Sequence, residues 1–311
     1  MVLGCTGQDG SILCRSLLKN NHRVIGVSRA KNTNLTNLKK LDIVNKIQTA
    51  NLNLLDQKEV EKIISKFAPD TIYNLSAQSS VGRSFQKPTD TFSSISLATQ
   101  NLLEACRKIS FKKNIFFAGS SEMYGSSKTP ITLEHPKNPV SPYGIAKKNS
   151  FELVKLYRKT YKLKCMTGIL FNHESILRSD NFVFPKIIRS AIKSSVDPKY
   201  KVQMGNLNIE RDWGWAEEYI EAMKLIANAK NADDYLICTG KGCSLANIAD
   251  KTFKRFNLKW EDHIEVNSEL FRPTDIDQSV GNPDKLYKDH KWKAKINIDE
   301  IITKLIHTFD S

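Results

Sequence analysis

The chain has 311 residues, 40% of them hydrophobic, with 47 Lys plus Arg against 33 Asp plus Glu and a formal balance of +14. That is enough chain for a large core, and it excludes a disulfide-stapled miniprotein or a disordered acidic tail. The positive excess is scattered in short pairs such as Lys39-Lys40, Lys112-Lys113 and Lys147-Lys148 beside many Asn, with no block of like charge, so it reads as a solvated surface and predicts no nucleic-acid partner.

In chain order, Val2-Leu3 is a strand stub, and the apolar patterning predicts a helix over 11–18 and strands over 23–27 and 46–50. A helix follows over 60–67, a strand over 71–75, a long helix over 92–108 and a strand over 114–118. A helix over 142–161 then leads into a strand over 165–170. The βαβαβ alternation implies a parallel sheet with right-handed crossovers and helices on both faces, so its strands are expected to be near-continuous apolar runs. Beyond 171 the segments shorten and carry scattered Arg, Asp and Trp. The expected organisation is α/β, a Rossmann-type doubly wound dinucleotide-binding domain over 1–171. A smaller, mainly substrate-binding lobe over 172–311 returns some segments to that domain.

A strand averages about 5–6 residues, yet only Met1, Val2 and Leu3 precede the first glycine, so either the opening strand is clipped or the native start lies upstream of Met1. Cys5, Cys14, Cys106, Cys165, Cys238 and Cys243 form no C-x-x-C pair and read as reduced, mostly buried thiols of a cytoplasmic protein without a metal site. No apolar run approaches the roughly 18 residues of a membrane span, so no membrane partner is expected.

Gly4, Gly7 and Gly10 form a G-x-x-G-x-x-G run between the strand stub and the first helix. Glycines allow the tight turn and let backbone N–H groups approach a pyrophosphate, which the helix N-terminus then stabilises. After the second strand a carboxylate would bind ribose hydroxyls and repel a 2′-phosphate, but here stand Ser28, Arg29, Ala30 and Lys31. Two positive charges at that place predict NADP, with NAD as the alternative.

Tyr143 and Lys147 stand four apart at a helix start and share a face. A phenol with an ordinary pKa of about 10 is a poor base unless a neighbouring ammonium stabilises its phenolate, which is the expected use of Lys147. Ser120 and Glu122 follow the strand over 114–118, at the carboxyl end where open parallel sheets place their sites. Ser120 could bond a substrate hydroxyl, and Glu122 could act as general base and acid.

With TGQDGS (6–11), SAQSSVGRSF (76–85), GSSEMYG (119–125), SPYGIAKK (141–148), GILFNHES (168–175), GNLNIERDWGWAEEYIEAM (205–223) and FRPTDID (271–277), the chain resembles the GDP-mannose 4,6-dehydratases of the extended short-chain dehydrogenase/reductase superfamily almost end to end. The resemblance implies a cycle on a held NADP: oxidation at sugar C4 with Tyr143 taking the hydroxyl proton, loss of water across C5 and C6 through Glu122, and hydride return to C6. The product would be a GDP-4-keto-6-deoxy sugar. It also implies cofactor contacts at Thr6, Gln8, Asp9, Arg29, Leu75, Ala77, Gln78, His173 and Arg178, besides the glycines, Tyr143 and Lys147. Substrate contacts would come from Ser79, Ser80, Glu122, Asn172, Glu174, Lys186, Asn206, Arg211 and Arg272. The guanidinium forks of Arg211 and Arg272 match a diphosphate, and a homodimer or homotetramer is implied.

The chain departs from the family pattern at several places. Ser120 replaces the usual Thr, Asp90 a Tyr and Asp275 a Glu, and residues 29–34 lack the Arg pair followed by Ser that grips the 2′-phosphate and assists tetramer packing. Ile176 in place of Pro leaves room for a related substrate such as a GDP-manno-heptose. Two alternatives stay open on the sequence. A GDP-sugar 4-reductase or epimerase would use Tyr143 and Lys147 without needing Glu122, and a cofactor-binding regulatory or RNA-binding protein would keep the fold without the chemistry.

Overall fold

The structure, a computed structural model, describes residues 1–29 and 34–310; Ala30 and Lys31, expected beside the adenosine ribose, lie outside the described residues. The first half runs β1 (Val2–Leu3), α1 (Gln8–Lys19), β2 (Ile25–Ser28), α2 (Thr36–Lys40), β3 (Gln48–Asn51), α3 (Gln57–Phe67), β4 (Thr71–Asn74), α4 (Val81–Gln86), α5 (Pro88–Phe92), α6 (Ala98–Lys108), β5 (Asn114–Ser120), α7 (Pro142–Tyr161) and β6 (Cys165–Leu170). The second half runs β7 (Asn172–Glu174), α8 (Val183–Val196), β8 (Val202–Met204), β9 (Glu210–Trp215), α9 (Ala216–Ala227), β10 (Asp234–Ile237), β11 (Gly242–Ser244), α10 (Leu245–Lys254), β12 (Ile264–Val266), β13 (Gln278–Ser279), α11 (Asp284–His290) and α12 (Ile298–Phe309).

Seven strands form one sheet in the order β10-β6-β5-β4-β1-β2-β3, parallel throughout. The chain enters at β1 and winds outward in both directions, so a crevice opens past the carboxyl ends of β1 and β4, where the strand order reverses. One face packs on Val60 and Ile64 of α3, Leu102 and Leu103 of α6, and Val154 of α7. The other packs on Ile12 and Leu13 of α1, Tyr219 and Met223 of α9, and Leu286 of α11. Complete burial of a side chain such as Leu13 stabilises the fold by about 1.5–3 kcal/mol. Thus α9, α11 and β10 join this layered body although they follow residue 171. A separate core joins Phe184 and Ile188 of α8, Trp213 of β9, Ile248 and Phe253 of α10, and Ile302 of α12.

Two expectations change. The strand expected over 46–50 is not an apolar run: β3 lies at the sheet edge with Gln48, Thr49 and Asn51 exposed, since an edge strand has less to bury. The helix expected over 92–108 starts earlier, at Pro88, and runs without a break from α5 through a π-helical segment Ser93–Leu97 into α6. Hydrogen bonds tie that wider segment to α7: the Ser96 hydroxyl donates to the Ala146 carbonyl at 3.0 Å, and the Ser150 hydroxyl to the Ile95 carbonyl at 3.2 Å.

Every cysteine is a free thiol, and burial pushes that of Cys5 up to about 11. No helix among the described residues is long and apolar enough to cross a membrane.

Candidate active site

The glycine turn is built by exclusion of side chains. Gly4 has φ +82°, and a Cβ there would lie 2.8 Å from the Leu75 carbonyl oxygen at the end of β4; one at Gly10 would lie 2.1 Å from the Gly4 carbonyl oxygen. Because Gly7 caps the helix in an extended conformation, α1 begins at Gln8 rather than at 11, and Gly10 sits inside its first turn. The result is a close-approach cradle under the N-terminal end of α1, a geometry that fits the pyrophosphate of a dinucleotide.

Asp9 in that first turn faces His173 on β7, with His173 Nε2 3.0 Å from both carboxylate oxygens and Nδ1 2.7 Å from the Phe171 carbonyl oxygen. Burial alone would push the Asp9 carboxyl up, but the His173 charge and hydrogen bond outweigh it and hold the carboxyl down at about 2.

Tyr143 and Lys147 start α7. The Ser141 hydroxyl caps this helix by accepting from the Gly144 N–H at 3.0 Å, with Pro142 in the first turn. A Cβ at Gly144 would lie 2.6 Å from the Glu122 carbonyl oxygen, so the helix start and the Glu122 loop are in direct contact. Lys147 Nζ donates to the Ala118 carbonyl at 2.8 Å and lies 5.7 Å from the Tyr143 ring centroid. With the ammonium turned toward that carbonyl, the phenol is governed by burial, which pushes it up to about 12, while a hydrogen bond with the Ser120 hydroxyl works the other way. The expected lowering of the phenol by Lys147 is therefore not the dominant effect in this arrangement. Burial also brings Lys147 down to about 8, against the attraction of Asp9.

At the other end, burial raises the Glu122 carboxyl, and the charges of Arg211 and Arg272 oppose the rise. Arg211, on β9, is 3% exposed. Its guanidinium donates to the Glu210 and Ile276 carbonyls at 3.0 and 2.6 Å and to Asp275 Oδ1 at 3.0 Å; Arg272 donates to the same Oδ1 at 3.2 Å. One carboxylate oxygen thus holds two guanidinia side by side. The neighbouring Asp212 accepts from the Thr239 N–H and hydroxyl and the Gly240 N–H at 2.7–2.8 Å, which fastens β9 to the loop after β10. Burial raises Glu174 to about 7 against the charge of Arg178, 3.6 Å away.

Most of the catalytic candidates and charged groups line one cleft of about 370 Å³, which the glycine turn meets through Asp9, with Gly4, Thr6, Gly7, Gln8 and Gly10 off its wall. Of the expected residues it gathers Asp9, Leu75, Ala77, Gln78, Ser79, Ser80, Ser120, Glu122, Tyr143, Lys147, Asn172, His173, Glu174, Arg178, Arg211 and Arg272. Gln78 is engaged in shaping its own loop, accepting from the Ser80 N–H at 2.7 Å and donating to the Thr91 hydroxyl at 3.0 Å. Lys186 and Asn206 are not on the wall: Lys186 Nζ donates to the Gln203 carbonyl at 2.7 Å, and the Asn206 side chain accepts from the Asn208 N–H at 2.9 Å. Arg29 is exposed just beyond β2. Sequence reasoning missed Phe182, Trp213 and Leu245, which also line the cleft. Trp213 had a signal in its place beside Arg211; Phe182 and Leu245 had none, because only their packing brings them there.

The family model for GDP-mannose 4,6 dehydratase matches residues 1–305. The chain is 34% identical to GDP-mannose 4,6 dehydratase 1 of Arabidopsis thaliana over 98% of its own length and 88% of that protein's. It is 32% identical to the GDP-mannose 4,6 dehydratase of Homo sapiens over 99% of its own length and 90% of that protein's. Among solved structures, the UDP-glucose 4-epimerase of Thermus thermophilus in complex with NAD superposes with a TM-score of 0.88 at 22% identity, covering 99% of this chain and 98% of that one. The dTDP-glucose 4,6-dehydratase of Bacillus anthracis in complex with NAD superposes with a TM-score of 0.86 at 18% identity, covering 99% and 95%. The structural likeness is one of fold.

Proposed function

The chain belongs to the GDP-mannose 4,6-dehydratase family, and from that premise we propose that it removes water from GDP-mannose, or from a close GDP-sugar such as a GDP-manno-heptose, to give the GDP-4-keto-6-deoxy sugar. The observation that carries this reading is the juxtaposition of Glu122 with Ser120 and Tyr143 on the wall of one cleft that also carries Asp9 of the glycine turn and the guanidinia of Arg211 and Arg272.

The glycine cradle, Asp9, His173 and Lys147 would hold the dinucleotide, which when bound supplies a reversible acceptor and donor of hydride. Arg29 supports NADP over NAD, since a guanidinium beside the ribose favours a 2′-phosphate. Ser120 orients the sugar 4-oxygen by a hydrogen bond, and Tyr143 Oη receives and returns its proton. A ketone at C4 acidifies the C5 proton. Glu122 takes that proton and protonates the departing 6-hydroxyl, a shuttle suited to a carboxyl that burial raises above its ordinary value. Arg211 and Arg272 hold the diphosphate. A self-associating surface on α5 to α7 is supported by the exposed apolar side chains of Phe92, Leu97 and Leu156, and a homodimer is the assembly proposed.

Incubating the purified protein with NADP and a panel of nucleotide sugars tests the reading. GDP-mannose is expected to yield a product lighter by one water, and Glu122→Gln to slow that loss by roughly a thousandfold. An epimer or reduced sugar formed without loss of water, or full dehydration by Glu122→Gln, would replace the dehydratase with the reductase or epimerase.

A further inference from the structure

Both ring nitrogens of His173 face acceptors. Nδ1 lies 2.7 Å from a backbone carbonyl oxygen, which has lone pairs and no proton, and Nε2 lies 3.0 Å from both oxygens of the ionised Asp9 carboxylate. A neutral imidazole carries a single N–H, so in that state one of these contacts would set lone pair against lone pair. We propose that His173 is held as an imidazolium whose two N–H donors latch the glycine turn to the strand lining the sugar half of the cleft, which makes it a positioning residue for the dinucleotide.

Three further contacts fit the latch. The Tyr219 ring lies against the imidazole with centroids 4.6 Å apart, the arrangement in which an aromatic face attracts a cation. Gln8 bridges the same two segments, its Nε2 donating to Asp9 Oδ1 at 3.0 Å and its Oε1 accepting from the Ser175 hydroxyl at 2.9 Å. Both halves of the latch lie in the cleft wall, so a change in the ring is felt at both ends.

The groups facing the ring are Asp9 on α1, Tyr219 on α9, Glu174 and Arg178 on β7 and the loop after it, and Lys147 on α7 across Asp9. Burial and Arg178 oppose the imidazolium; the Asp9 charge, its hydrogen bond and the Phe171 carbonyl favour it and prevail, so the ring stays protonated above its ordinary value. A base raised in this way keeps its proton to a higher pH than a free imidazole and loses it as pH rises through the raised value, so the latch opens on the alkaline side.

The ring measurement needs no ligand; only the affinity measurement rests on the dinucleotide reading. In the full chain with its 6 histidines, nitrogen NMR of the imidazoles near pH ~8, well above the ordinary value of about 6.5, is expected to show one imidazolium. Both Asp9→Asn and His173→Gln remove that signal. Absence of an imidazolium in the wild type, or its persistence in Asp9→Asn, overturns the proposal. For function, NADP affinity is followed across pH in the wild type and in His173→Gln. Their ratio is expected to be on the order of tenfold at neutral pH and to close toward unity above the pH at which the imidazolium signal disappears. A ratio independent of pH means a merely structural histidine and overturns the positioning role. No binding of NADP or NAD by the wild type at any pH would overturn the dinucleotide reading instead, while the ring measurement still decides the latch.

Discussion

At the end of the cleft proposed for the dinucleotide, Asp9 comes from the short stretch Gly4 to Gly10 and is joined by Lys147 and His173, while at the end proposed for the sugar Glu122, Glu174, Arg211 and Arg272 arrive from separate parts of the chain. The first end rests on a backbone turn whose fit depends on the absence of side chains: a Cβ at Gly4 or Gly10 would meet a carbonyl oxygen. The second is made of charged side chains whose placement depends on shared partners, above all the single Asp275 oxygen that accepts from both guanidinia. A backbone site therefore fails by crowding, and a side-chain site fails by leaving a charge without its partner.

The sharpest way to separate the ends is to disable the residue between them. Tyr143→Phe is expected to reduce turnover by roughly ten-thousandfold while both NADP and GDP-mannose still bind, as isothermal titration would show. Loss of either affinity would mean that the phenol belongs to one end rather than to the chemistry. Arg211→Met attacks the sugar end alone. It leaves Asp275 and Glu122 with one guanidinium fewer and should weaken GDP-mannose binding by about 2–5 kcal/mol, with NADP affinity unchanged. An equal loss of NADP affinity would show the two ends to be one unit.

Gly10→Ala is the converse. Its methyl must displace the Gly4 carbonyl, so thermal unfolding should report a loss of about 1–3 kcal/mol, with NADP binding weakened more than GDP-mannose binding. The smallest effect is on pH dependence. Burial disfavours the charged form of Lys147, so its ammonium is present at low pH and lost as pH rises through about 8, and turnover should fall several-fold there. A limb that Lys147→Arg leaves in place would assign it to another group.

The part of this protein legible in its sequence is the part built from neighbours. Glycines spaced through seven positions, a strand before them and a helix after, and Tyr143 one helical turn from Lys147 all carry their geometry in their spacing. Even there the helix starts at Gln8, since what ends the turn is Gly7 and not the first apolar residue. The π-helical widening within the helix expected over 92–108 had no such mark, because hydrogen bonds with a helix about 50 residues away accompany it. The edge strand β3 misled for a related reason: how much of a strand is buried depends on whether another strand covers its side.

The order of strands and helices, the glycine turn and the Tyr143–Lys147 spacing were thus determined by the sequence itself, because local spacing and hydrophobic period act over a few residues. The tertiary structure alone decided which charges face one another. Asp9 and His173 stand 164 residues apart and become partners only because the parallel β1 and β6 bring their following segments to the same, carboxyl end of the sheet. Lys186 and Asn206 shared the family's pattern as fully as Arg211 did, yet packing set them off the wall and put Arg211 on it. Electrostatic partners in a buried cleft are chosen by proximity across the fold, where low polarity makes each pairing strong, and distance along the chain carries no record of it.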